Sequence, residues 1–309
     1  MASSIHIPVL LHETIDGLAL QPGNVVVDGT TGGGGHSSEI CKVLRGDVTL
    51  VCFDLDETAL SCAREKIEAT GYRSAHYIQG NFRSIRQKLS EIGITKIDRA
   101  VFDLGLRSDQ LEGSGRGFSF NVDEPLQMTF ASTPGDGVMT ARDIVNQWDE
   151  EALANAIYGY GEERYSRRIA HGIVTARTVS PIGTSGQLAD IVSSSVPVAY
   201  RRGRIHPATK TFQALRMAVN DELGALSEVL TSTWDLLNGG GRIAVISFHS
   251  LEDRIVKRYF KHIENEEKAL VVTKRPIVAT EDEIANNPRS RSAKLRIVEK
   301  KIPDVSKEI

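Results

Sequence analysis

Apolar and polar positions alternate along the first third of the chain so that short apolar runs are set against amphipathic ones. Residues 24–27, 48–54, 76–80 and 97–104 are short, rich in Val, Ile and Phe and bounded by turn residues, as buried strands are. Between them, 37–44, 57–69 and 84–92 carry apolar residues at helical spacing. Such alternation predicts parallel strands joined by crossover helices, an α/β doubly wound, Rossmann-like sheet. After Gly105 the pattern changes. Gly113, Gly115 and Gly117 predict a loop, Pro134-Gly135-Asp136-Gly137 a second, and the stretch to Val192 reads as helical. The prediction is a sheet domain in two parts, 1–108 and 209–309, interrupted by a helical substrate-binding domain at 109–208. One long helix over 209–237 leads to Gly239-Gly240-Gly241 and an apolar strand at 242–248, and the runs 269–274 and 293–298 finish the sheet. The last, alternating charged and apolar residues, suits an antiparallel strand.

Composition narrows the class without naming the chemistry. The 309 residues are 40% hydrophobic and 25% charged with a net charge of −3, an ordinary globular make-up. No apolar run is long enough to cross a bilayer, and Met1-Ala2-Ser3-Ser4 lacks the basic and apolar parts of a signal peptide, so a cytoplasmic location is expected and no membrane partner. Cys41, Cys52 and Cys62 have no C-x-x-C spacing and are expected as small core residues of helix, strand and helix, with no metal.

The chemistry begins at Val26-Val27-Asp28-Gly29-Thr30-Thr31-Gly32-Gly33-Gly34-Gly35-His36, where a buried-strand pattern ends in a carboxylate and turns through glycines into a helix. Glycines let the backbone come close to a ligand, and the helix start presents free N–H groups. Asp28 would repel a pyrophosphate but attract an ammonium or sulfonium charge, so the turn suits S-adenosylmethionine better than a dinucleotide. The second strand ends at Asp54, a little beyond the spacing at which an acid meets a ribose hydroxyl pair, which makes Asp54 the expected ribose ligand. Asp56 or Glu57 is expected to cap the next helix.

A transferred methyl would meet its acceptor beyond the carboxyl ends of the fourth and fifth strands. The fourth ends in Asp103 and the fifth in Ser247-Phe248-His249-Ser250-Leu251-Glu252-Asp253. Asp103, Ser247 and His249 are expected at the reaction, with Ser250 as helix cap and Asp253 completing a capping box. Local basic clusters point to RNA although the chain is slightly acidic. Arg164, Arg167 and Arg168, with Arg201, Arg202 and Arg204, are expected to form an RNA track on the inserted domain.

Six segments carry a resemblance to a known family: His6-Ile7-Pro8-Val9-Leu10, the glycine turn through His36, Arg116-Gly117-Phe118-Ser119-Phe120, Tyr160-Gly161-Glu162-Glu163-Arg164, the run from His206 to Arg216, and the run from Ser247 to Arg254. In order and spacing they resemble the bacterial 16S rRNA N4-cytosine methyltransferases, the RsmH or MraW family. The resemblance implies a class I methyltransferase fold with an inserted helical domain. It implies methylation of a cytidine amine in the decoding region of 16S rRNA, within the small ribosomal subunit, and leaves a homodimer open. Carried over, the donor-binding residues are Gly34, Gly35, His36, Asp54, Phe82, Asp103 and Gln110, to which Asp28 is added from the charge argument. The sequence departs from the family pattern at Arg107 and Asp109 and again at Gln127 to Ala131, where carboxylates and an arginine are lost. A non-catalytic small-subunit assembly factor is the alternative. A nicotinamide-dependent dehydrogenase is disfavoured by Asp28.

Overall fold

The computed structural model describes residues 8–105, 114–131 and 137–303. Seven strands form one sheet: β1 Val25–Asp28, β2 Thr49–Asp54, β3 Ser74–Gln79, β4 Ile97–Asp103, β5 Leu237–Ser247, β6 Ala269–Val271 and β7 Lys294–Lys300. Their order is β3-β2-β1-β4-β5-β7-β6. The first five are parallel, and β7 runs antiparallel between β5 and β6. That order, reversing between β1 and β4 and closing on an antiparallel strand, is the class I methyltransferase form of the doubly wound sheet.

The two faces of the sheet follow from the period-2 pleat. Val27, Val51, Phe53, Ala100, Phe102, Ile243 and Val245 join one core with the helices Ile85–Glu91, Glu222–Leu236 and Ser250–Asn265. Their chain neighbours Val26, Leu50, Cys52, Val101, Ala244 and Ile246 join the other with Leu11–Leu18, Gly35–Val43 and Glu57–Glu68. Burial on both faces explains why these strands read as continuous apolar runs. Each fully buried Phe or Ile contributes about 1.5–3 kcal/mol relative to an exposed one.

The chain divides into two compact units, one from the described residues of Ile5–Gly105 and Leu223–Ile309, the other from those of Leu106–Glu222. The second is helical, its core built from residues such as Ile144, Leu153, Ile157, Ile169, Ile173, Leu188 and Phe212. Within it, Asn220 donates from Nδ2 to the Met128 carbonyl at 2.8 Å and accepts the Phe130 N–H at 2.9 Å, while Arg116 donates to the Phe130 carbonyl at 2.7 Å. The Gln127 to Ala131 segment is thus gripped at its backbone, by contacts that do not depend on which side chains it carries.

Three features differ from the sequence reading. The helix expected over 209–237 is two helices, Thr209–Asn220 and Glu222–Leu236, because Asp221 turns left-handed at φ 44°. Arg216 bridges the break, donating to both Glu222 carboxylate oxygens at 2.7 and 2.9 Å. The first of these helices, expected with the sheet, lies in the helical unit, where it packs on Glu150–Gly161. Gly239-Gly240-Gly241 lies inside β5 rather than before it. The pairing jumps from Ile97 with Leu237 to Arg99 with Arg242, a bulge that the +78° φ of Gly240 accommodates. Cys41 and Cys52 are buried, but Cys62 is exposed, since its helix turns Ala59, Leu60, Ala63 and Ile67 inward and Cys62 falls on the opposite face.

Candidate functional site

Asp28, Asp54 and Asp103 end three neighbouring parallel strands at the carboxyl edge of the sheet, with β1 between the other two. The turn after β1 is tied to both neighbours: Thr31 N–H donates to the Phe53 carbonyl at 2.9 Å, and Thr30 Oγ1 accepts the Asp103 N–H at 2.5 Å. Gly32 N–H donates to Asp54 Oδ2 at 2.8 Å while Asp56 N–H donates to Oδ1 at 2.9 Å. Two backbone N–H groups therefore orient the Asp54 carboxylate, one on each oxygen. Asp56 caps the Glu57–Glu68 helix through Thr58 N–H.

The glycines of the turn do different work. A Cβ on Gly34 would sit 2.9 Å from Ala63 Cα, at a φ of +74°, and one on Gly35 would sit 2.2 Å from Pro8 Cγ. Both are glycine because protein fills the space beside them. A Cβ on Gly33 would meet nothing within 4 Å among the described residues, so its flank is open.

Burial dominates the electrostatics. Asp28 is 2% exposed and its carboxyl is pushed up to about 6 by loss of solvent, although Ser37 Oγ at 2.7 Å and the Thr30 N–H at 3.1 Å donate to it. Asp103 is pushed up to about 7, again by burial first, with the charges of Asp28 and Glu252 adding to the rise and the Gly105 N–H opposing it. Among the described residues its buried Oδ1 has no hydrogen-bond partner. Its Oδ2 lies 3.9 Å from His36 Nδ1. His36 Nε2 is 3.2 Å from the Val9 carbonyl, which can only accept, so Nε2 carries a proton and Nδ1 is the ring nitrogen that faces Asp103. An orphaned carboxylate oxygen beside two further acids is a donor set suited to a cationic ligand.

Phe82 begins the short 3-10 turn after β3, and its ring meets Phe102 edge-on, with centroids 5.9 Å apart. At the end of β5, Ser247 is buried and donates to the Lys294 carbonyl of β7 at 3.4 Å. His249, not Ser250, caps the Ser250–Asn265 helix, and its capping partner is Glu252 rather than Asp253. The Glu252 N–H donates to His249 Nδ1 at 3.4 Å, and the Glu252 carboxylate accepts the N–H groups of Phe248 and His249 at 2.9 and 3.3 Å. Asp253 is instead paired with Arg296 at 2.6 Å, which holds its carboxyl below the usual range despite partial burial. His249 Nε2, the protonated nitrogen when Nδ1 accepts, lies 3.0 Å from Glu252 Oε1. Thr30, Ser37 and Glu252 were missed by the sequence reading. Their signals were a hydroxyl directly after the strand, a serine one turn into the helix, and a glutamate three residues after a histidine.

Gln110, Arg107 and Asp109 lie outside the described residues. All six arginines expected to hold RNA are exposed in the helical unit. They are not equivalent: Arg164 lies over the rings of Tyr165 and Tyr200, and Arg201 donates to the carbonyls of Val196 and Ser194, sealing the end of the Ser185–Ser195 helix. Among the described residues no helix is long and apolar enough to cross a membrane.

The MraW methylase family model matches residues 3–301. Ribosomal RNA small subunit methyltransferase H of Paenibacillus sp. (strain JDR-2) is 44% identical over 316 residues, covering 96% of this chain and 99% of its own. The protein of that name from Limosilactobacillus fermentum is 43% identical, covering 97% and 99%, and the one from Brevibacillus brevis is 42% identical, covering 96% and 98%.

Proposed function

The chain belongs to the MraW methylase family, and on that premise we propose that it methylates 16S rRNA with S-adenosylmethionine, at the N4 amine of a cytidine. The observation that carries this reading is the triple carboxylate edge around the glycine turn. A negative, poorly solvated rim with one unpartnered oxygen attracts a sulfonium and an ammonium and repels a dinucleotide's pyrophosphate. Asp54 would hold the ribose hydroxyls, the Phe82 ring would lie against adenine, and Asp28, Asp103 and the Gly33–Gly35 backbone would surround the amino-acid end. Gln110 is carried over from the family pattern as a further donor ligand. When bound, the donor supplies an activated methyl carbon on its cationic sulfur.

The cytosine amine is a weak nucleophile because its lone pair is delocalised into the ring, so it must be held in line at roughly 3–3.5 Å from that carbon. Asp103 suits this task. An ionised Oδ1 accepts one amine hydrogen, encourages the nitrogen to pyramidalise and offsets the positive charge that develops on it. His249 and Ser247, at the end of the adjacent strand, would line the acceptor side, with solvent or His249 taking the released proton. The target base must be unstacked to enter such a site, and the arginines of the helical unit would hold the RNA backbone meanwhile. The substrate is read as rRNA within the small ribosomal subunit, in the cytoplasm. Mass spectrometry of nucleosides after incubation of the chain and the donor with small subunits tests the proposal. N4-methylcytidine is the expected product, and its absence alongside tight rRNA binding would favour an assembly factor instead.

A further inference from the structure

The helical unit contains a cavity of about 290 Å³ lined by Asn155, Tyr158, Arg164, Tyr165, Arg167 and Arg168, with Ala154 and Ser166 completing it. We propose that this cavity binds one unstacked nucleotide of the RNA, its phosphate on Arg167 and Arg168 and its base on the ring of Tyr158. The inference rests on the reading of the chain as an rRNA methyltransferase and adds a recognition pocket to it.

Four observations converge. The lining brings three guanidinium groups and two phenol rings around one space and includes no carboxylate, in a chain whose net charge is −3. Among the described residues, Arg167 and Arg168 are exposed and make no ion pair, so their charge is available to a phosphate. One wall is rigid. Glu163, fully buried, accepts the Tyr200 hydroxyl at 2.6 Å and the Tyr165 N–H at 2.8 Å. The two tyrosine rings pack edge to face at 4.9 Å, and Arg164 lies over both, 4.7 Å from Tyr165 and 5.1 Å from Tyr200. Burial and the Glu163 carboxylate push the Tyr200 hydroxyl up to about 12, so it remains a donor and the wall does not titrate near neutrality.

The second lining ring is different. Tyr158, on the Glu150–Gly161 helix, is 65% exposed. An aromatic ring left facing solvent beside unpaired arginines is the combination that single-stranded RNA sites use, since every base has a face to stack and every nucleotide a phosphate. The volume sets the scale: ligand pockets start at roughly 300 Å³, and this one matches a single nucleotide. Asn155 adds an amide that can meet a base edge.

The test is equilibrium binding of the full chain to a single-stranded oligoribonucleotide and to the same backbone made abasic, across a salt series, for wild type, Tyr158→Ala, Tyr158→Phe and the pair Arg167→Gln with Arg168→Gln. Tyr158→Ala is expected to weaken RNA binding roughly tenfold and leave abasic binding unchanged, while Tyr158→Phe retains the wild-type value. The arginine pair is expected to weaken both ligands and to flatten the log–log salt dependence by about 0.7 per lost phosphate contact. Circular dichroism and thermal melts of the full chain verify that each variant is folded. Wild-type RNA affinity in Tyr158→Ala, or an equal loss on the abasic backbone, overturns the pocket while leaving the methyltransferase reading intact. A wild-type chain that binds donor but neither oligonucleotide also overturns the pocket, and absence of N4-methylcytidine on small subunits separately overturns the methyltransferase reading.

Discussion

The sheet edge and the helical unit both concentrate charge, but in opposite physical settings. Asp28 is buried and Asp103 largely so, and loss of solvent lifts their carboxyls to about 6 and 7. The arginines of the helical unit stand in water and interact through a field that salt screens. The difference teaches what each region is built to meet. Buried like charges are costly until a cation arrives, so the edge is selective for a small cationic ligand and responds to pH. Exposed cations cost little to maintain and are individually weak, so the helical unit responds to ionic strength and to the length of polyanion engaged.

The sharpest break in the comparison is Asp103→Ala. It is expected to lower N4-methylcytidine yield roughly 1,000-fold, read by nucleoside mass spectrometry under single-turnover conditions. A yield within fivefold of wild type would remove Asp103 from the reaction, and lost product with retained donor affinity would place it on the acceptor side.

Within the glycine turn a smaller contrast is expected. Gly34→Val should destabilise by about 2–3 kcal/mol, from the left-handed backbone and the approach to Ala63, whereas Gly33→Ala should stay within about 0.5 kcal/mol. Denaturant melts of the two variants check this. Equal effects would mean that packing against Ala63 does not set the glycine requirement.

The pH dependence of the edge has a definite sign. Because Asp28 and Asp103 bind protons more tightly folded than unfolded, their contribution to stability is complete below about pH 4 and is lost as pH rises through 6 to 7. The thermal midpoint of the donor-free protein should carry a falling component over that window, and Asp103→Asn should flatten it. A cationic donor favours the ionised acids, so its affinity should rise over the same window with release of protons. Calorimetry in two buffers of different ionisation enthalpy measures that release, and proton uptake would contradict the assignment.

The smallest effect belongs to the helical unit. Reversing Arg202 and Arg204 to Glu is expected to weaken rRNA binding several-fold and reduce its salt dependence without changing donor affinity. Arg201 is left alone because its guanidinium holds two backbone carbonyls. Unchanged binding across the salt series would remove these two residues from the RNA track.

Much of this was legible along the chain. Strand positions followed from short apolar runs, and Asp28, Asp54 and Asp103 could be placed at one edge because parallel strands that end in acids must present them together. Other assignments failed where a local pattern had two readings. Helical periodicity continues across Asp221, so nothing in the spacing announces that its backbone turns left-handed there. Cys62 resembles its buried neighbours in kind, and only the phase of the helix against the sheet decides that it faces out. Ser250 has the residue type usual for a helix cap, yet in the fold the preceding His249 fills that place.

The sequence by itself determined the layer order of the α/β unit and the acids at its rim, because hydrophobic period and strand–helix alternation act locally and repeat many times. It determined the family as well, through motifs whose order and spacing run nearly the whole length. Only the tertiary structure decided which glycines touch protein and which open outward, which histidine nitrogen faces Asp103, and how far burial lifts the two carboxyls. Those properties depend on distances between residues far apart in the chain, and on the water that folding removes from between them.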